Sequence, residues 1–176
     1  MVTDSLRPNS RPRGRTPLQI PPYRERMSIS EQVEAQATLG AEGVRFIPAG
    51  AAALFIRCAG VLAAVARYQL YLESLDGTRE SIMGRGFNDG AIGDLRAAMY
   101  QPGVGTWFSG EIRIDRSGAV DARFDYDSEP AWDAPVDPIA YAYDADQFPR
   151  ALEHQPVWLR EQIAQGRERQ RQFGWR

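Results

Sequence analysis

The period of apolar and polar positions changes several times along the chain, and each change predicts an element. Alternation is cleanest in residues 107–126. Ile112 and Ile114 fall on one side of the first run, and Glu111 and Arg113 on the other. Val120, Ala122, Phe124 and Tyr126 then alternate with Asp121, Arg123, Asp125 and Asp127, after a turn at Arg116-Ser117-Gly118. This predicts a two-stranded antiparallel hairpin. Residues 68–75 alternate too, with Tyr68, Leu70 and Leu72 against Gln69, Tyr71 and Glu73, and Asp76-Gly77 supplies a hairpin turn. Residues 51–66 are small and apolar. Periodicity alone fits a strand pair around Gly60 or a short helix; Leu54-Phe55-Ile56 and Val61-Leu62 flanking a glycine favour strands.

Helical spacing appears in three places. In residues 28–40, Ser28 and Glu31 have the spacing of a capping box, and Ile29, Val33, Gln36 and Leu39 trace one stripe, closed by Gly43. Asn88 or Asp89 is placed to cap a second helix through Ile92, Leu95, Arg96 and Met99, which stops before Pro102. Pro156 suits the first position of a last helix with Trp158, Leu159 and Ile163 on its apolar side. Between hairpin and last helix, residues 128–146 are acidic and broken by proline. Helix, strands, helix, hairpin and helix add up to an α+β fold, a mainly antiparallel sheet with helices packed against it.

Both ends depart from this pattern. Residues 1–26 are rich in arginine and proline and read as a flexible arm; residues 27–165 read as one α+β domain. Residues 166–176 read as a fraying Arg/Gln-rich tail, with Phe173 or Trp175 as an anchor. Met27 stands directly before the first helix and is an alternative to Met1 as the start of translation. Charge follows the same division. All 21 basic residues are arginine, and the arm carries net +4 and residues 160–176 net +3. The residues between carry net −9, an acidic body suited to a basic protein surface and unsuited to nucleic acid.

Candidate chemistry is sparse. The longest apolar stretch, residues 49–66, is interrupted by Gly50, Arg57 and Gly60, and the arm lacks a signal-peptide core, so no membrane partner is expected and a cytoplasmic location is. Cys58, the single cysteine, lies in an apolar run and reads as core. His154, the single histidine, has no G-x-S-x-G serine to serve. A calcium loop opening at Asp125 fails because Pro130 and Val136 stand at its glycine and glutamate positions. Gly84-Arg85-Gly86 and Gly103-Val104-Gly105 are incomplete as nucleotide loops, with Asp89 and Phe108 in place of the third glycine. Asp125 and Asp127 remain open to three readings: a solvated strand face, a hard-cation or acid–base pair in a small metal-dependent enzyme, or a docking surface.

Four phrases carry a resemblance. They are Trp107-Phe108-Ser109-Gly110-Glu111-Ile112, Phe124-Asp125-Tyr126-Asp127-Ser128-Glu129-Pro130, the run Tyr143 to Arg150 that ends in Phe148-Pro149-Arg150, and Pro156-Val157-Trp158-Leu159. Over residues 99–163 the chain resembles the YezG-like immunity proteins of bacterial polymorphic-toxin systems. The arginine- and proline-rich arm is not part of that pattern. The resemblance implies an immunity-type domain over residues 27–165. It implies a non-enzymatic antitoxin without cofactor or metal. It would pair 1:1 with a cognate secreted toxin domain, expected to be an NAD glycohydrolase, and block its active site. The loop best suited to enter a cleft comprises Gln101, Pro102, Gly103, Val104 and Gly105, flanked by Met99 and Tyr100, with Asp125 and Asp127 meeting a basic rim. Trp107 fits either an interface anchor or the core. A non-catalytic adaptor with an amphipathic last helix is the remaining alternative.

Overall fold

The computed structural model describes residues 29–62 and 65–172. Its elements in chain order are α1 (Ile29–Val44), β1 (Ala51–Val61), β2 (Val65–Ser74), β3 (Arg79–Ile82), α2 (Gly90–Ala98), β4 (Ser109–Asp115), β5 (Val120–Asp125), α3 (Pro138–Gln147), a 3₁₀ turn (Leu152–His154) and α4 (Val157–Gln172). The five strands form one antiparallel sheet in the order β3-β2-β1-β4-β5. The fold is α+β, and residues 51–66 are strand on both sides of a turn. Gly60 is not at that turn: it sits inside β1 opposite Ala66, and β1 continues to Val61.

Register explains the layers. Leu54 pairs with Leu72 and Ile114, and Ile56 pairs with Leu70 and Ile112, so one sheet face is a continuous apolar surface. Helices α1 and α2 cover it with Ala35, Leu39, Ile92, Leu95 and Ala98. Each fully buried aliphatic side chain there stabilises the fold by roughly 1.5–3 kcal/mol. The opposite face is polar. Glu73 accepts from Arg113 and Arg79, which hold its carboxyl below the usual range, and the Arg79 guanidinium lies 3.6 Å above the Phe55 ring. Helices α3 and α4 form a second unit at the Val61 end of β1, around Phe108, Tyr141 and Leu159.

Four helical expectations change. In α1 the buried residues are Ala35, Leu39, Gly40, Glu42 and Gly43, whereas Ile29 and Val33 are 83% and 58% exposed. The helix rolls because Gly40 and Gly43 admit close contact: a Cβ on Gly40 would overlap the Gly118 carbonyl, and one on Gly43 the Ile114 side chain. The proposed cap Ser28 lies outside the described residues, as do the arm, Met27, Phe173 and Trp175. In α2, Asp89 occupies the cap position but its side chain makes no cap hydrogen bond, and the backbone N–H of Asn88 donates to Glu42 Oε1 at 2.9 Å. Helix α3 was not expected in the acidic stretch; Asp137 caps it by accepting from Ile139 N at 3.0 Å, with Pro138 at its start. Helix α4 continues past Gly166 to Gln172 and does not fray there, because Gly166 packs against the Pro138 carbonyl and Gln170 is buried.

One ion pair ties the two units together. Arg96 of α2 reaches Asp144 of α3 through two bonds, Nη1 to Oδ1 at 2.7 Å and Nη2 to Oδ2 at 3.1 Å, with both side chains buried. Arg96 Nε also donates to the Trp107 carbonyl at 2.8 Å, and Asp144 Oδ1 accepts from Leu62 N at 2.7 Å. Removing one partner strands the other charge. Asp144→Ala is expected to cost about 3–5 kcal/mol of stability in urea unfolding, and Arg96→Met combined with Asp144→Leu to recover part of it. A single variant with near-native stability would contradict this.

Candidate functional site

The loop expected to enter a cleft has a closed shape of its own. Helix α2 ends at Met99, whose N–H donates to the Leu95 carbonyl at 3.0 Å. Gln101 and Gly105 then exchange backbone hydrogen bonds of 3.0 and 2.8 Å, and Gly103 and Gly105 adopt φ of +80° and +91°. Those angles are open to glycine and strained for a residue with a Cβ. The Ala151 N–H donates to the Gly103 carbonyl at 2.7 Å, joining the loop to the chain after α3.

Arg150 fixes the loop from beneath. Its side chain is buried against the loop at Gly105, where a Cβ would overlap the arginine stem. Its Nη2 donates to the Thr106 carbonyl and its Nη1 to the His154 carbonyl at 3.2 Å. The guanidinium sits 4.7 Å from the centre of the Phe108 ring, and burial lowers its pKa, with Asp127 opposing that shift. Thr106 Oγ1 donates to the Arg96 carbonyl at 2.6 Å, so the loop's exit is tied back to α2.

The nine residues proposed for partner binding separate into three groups. Gln101 and Pro102 are exposed, and Gly103 and Val104 half-buried, so the tip is small. Met99, Tyr100 and Gly105 are its footing: Met99 packs on the main core, Tyr100 is buried with its ring 5.7 Å from Phe148, and Gly105 is buried. Of the two acids, Asp127 joins the loop. Its carboxylate is 82% exposed and lies 3.8 Å from Arg150, the residue that holds the loop. Asp125 does not join it. Its Oδ1 accepts from the backbone N–H groups of Ser128 and Asp127, both at 2.9 Å; these bonds lower its pKa and make it the organiser of a turn. Trp107 belongs to the core: it is fully buried and stacked 4.9 Å from Phe124.

Other candidates take structural places. His154 is exposed on the 3₁₀ turn. Cys58 is buried beneath α1 and α2, its thiol facing the Gly110 carbonyl at 3.5 Å, and burial pushes its pKa up to about 12. No group of three or more His, Cys, Asp or Glu among the described residues is arranged to hold a metal ion. A cleft of about 600 Å³ lies on the polar sheet face. It is lined by Arg57, Arg67 and Arg123 and by Glu111, Asp125 and Asp133, with Arg57 paired to Glu111 at 3.2 Å and Arg67 paired to Asp133. That balance of charge selects no sign of ligand.

Sequence reasoning missed two parts of the loop region. Arg150 carries no periodic signal, although it closes the phrase Phe148-Pro149-Arg150. The first turn of α1 was read only as the start of one apolar stripe, yet Ile29 and Gln32 line a groove of about 420 Å³ with Met99, Pro102, Val104 and Tyr126. A polar or apolar pattern within one helix cannot show which loop will lie beside it.

The molecule is thus an α+β protein that presents a braced loop on one side of its helical layer. No protein-family model matches the chain, and no curated protein matches it.

Two measurements probe this geometry. Arg150→Met keeps the stem and removes the donors; it is expected to cost about 1.5–3 kcal/mol and to speed hydrogen exchange at the amides of Gly105 and Ala151. Native exchange rates there would refute the bracing role. Raising a thiol from 9.0 to about 12 lowers its thiolate fraction near pH 8 by a factor of about 1,000. Iodoacetamide should therefore label Cys58 in the unfolded chain at least ~100-fold faster than in the folded protein.

Proposed function

We propose that this chain is an immunity-type antitoxin. It binds a cognate toxin domain 1:1 in the cytoplasm and closes that domain's active site with the 101–105 loop. The partner's activity is NAD glycohydrolysis, so the site closed is a dinucleotide pocket. The resemblance over residues 99–163 supports the class of partner, and the bracing of the loop supports the mode of action.

The observation that carries the reading is the contrast between tip and footing. Gln101 and Pro102 stand in solvent, while Tyr100, Gly105, Thr106 and Trp107 on either side of the tip are buried. A plug that enters a narrow site must give up little conformational freedom as it binds, and a loop closed by its own hydrogen bonds and by Arg150 has little left to lose. Asp127 beside it offers a carboxylate to a basic rim, which raises association rate and selectivity.

The test is inhibition of the NAD hydrolysis of a cognate toxin domain, sought first among the products encoded beside this chain. Replacing Gln101, Pro102 and Val104 with serine, with Gly103 and Gly105 kept, in a variant that retains its far-UV spectrum and unfolding midpoint is expected to weaken inhibition at least ~30-fold, the loss of a central interface element of about 2 kcal/mol. Native inhibition by that folded variant would overturn the plug.

A further inference from the structure

The loop does not stand alone on its side of the molecule. Two hollows run from it along the helical layer and meet at Ala98. The first, about 420 Å³, is a notch between the start of α1, the loop and Tyr126, where Ile29, Met99 and Val104 lie among the polar groups of Gln32 and Gln101. The second, about 290 Å³, lies between α1 and α2; Ala35, Ala97 and Ala98 form its floor, and Glu31, Glu34 and Asp94 its rim. Neither Glu34 nor Asp94 has an ion-pair partner among the described residues, and both are exposed. Arginine supplies every basic residue of this chain, yet residues 29–39 and 90–106 contain only Arg96, whose guanidinium is buried on Asp144.

From this arrangement we infer a two-part docking surface for a cationic segment of the partner protein. One apolar side chain of that segment seats in the notch beside Ile29, Met99 and Val104. A neighbouring arginine or lysine lies along the α1–α2 cleft. Its aliphatic stem covers the alanine floor, and its charged head reaches Glu34 and Asp94. Long cationic side chains pack in this way, stem on apolar surface and head at a carboxylate. The exposure of Ile29, unusual for the first turn of a packed helix, follows from the same role: its cover comes with the partner. The inference rests on the antitoxin reading and extends the contact from the loop to the helices, which the resemblance over residues 99–163 does not include for α1.

The experiment measures binding of the intact chain to the cognate toxin domain that it inhibits, by surface-captured kinetics at several salt concentrations. Glu34→Arg with Asp94→Arg is expected to lower the on-rate at least ~10-fold at low salt and to flatten its salt dependence. Ile29→Asp is expected to raise the off-rate at least ~10-fold. Arg123→Glu, on the opposite sheet face, serves as the control and should change neither. Native kinetics in the folded helix variants, with wild-type binding intact, overturn the docking surface and leave the antitoxin reading standing. Absence of binding by the unaltered chain overturns both. Two further results also refute the assignment: an effect of Ile29→Asp that vanishes when residues 1–27 are deleted, which would make the chain's own arm the occupant, or loss of a self-association seen by sedimentation, which would make it a second copy.

Discussion

The bidentate contact between Arg96 and Asp144 governs how the rest of the molecule is put together. It is the polar centre of the junction between the helix-covered sheet and the α3–α4 pair. Burying two charges is unfavourable unless the geometry is good and the remaining donors and acceptors are used. Here they are used: Nε bonds the Trp107 carbonyl, and Asp144 takes the Leu62 amide. Phe148 and Phe108 lie 4.9 and 5.7 Å from the guanidinium carbon and shield it from water. An apolar junction of the same size would hold the units together without fixing their relation. The directional bonds fix where α3 sits relative to α2, and so where the chain beyond α3 must pass.

That passage decides the shape of the candidate site. Beyond α3 the chain delivers Arg150 under the loop and the Ala151 amide to the Gly103 carbonyl. A second arginine therefore lies on the same aromatic ring as the first, with Phe108 beside both guanidinium groups. Asp127, exposed and 3.8 Å away, is the acid nearest to it in the ion-pair network. The chain of contacts runs Asp144, Arg96, Thr106, Arg150, Asp127. The loop is thus shaped by charges that sit outside it.

How much of this the sequence disclosed depends on the physics of each element. The β4–β5 hairpin was legible because one face is buried and the other solvated, which writes a period of two. Helix α1 was legible as a helix and misread in rotation. Its contact face is built on glycine and alanine, and such residues register in no hydrophobic stripe. Helix α3 was missed although Asp137-Pro138 is a helix start in composition, because Pro130, Pro135 and Pro138 and the acids Glu129, Asp133, Asp137, Asp144 and Asp146 made the segment look acidic and broken. Asp144, one of those acids, is buried. Arg96 and Arg150 share this property: a charged residue reads as surface until the structure supplies the partner that lets it be buried. The loop's glycines were visible, and its bracing was not, since every brace comes from at least ten residues away or through backbone atoms.

The separation of tip from brace has an evolutionary consequence. Loop shape is encoded by Gly103, Gly105, Arg150 and the Arg96 carbonyl, whereas under the proposed antitoxin function the chemistry offered to a partner is that of Gln101, Pro102 and Val104. Substitutions in the second set leave the backbone path untouched. On that reading a lineage can redraw the message while inheriting the mould, and drift should concentrate at Gln101, Pro102 and Val104, on either side of a fixed Gly103.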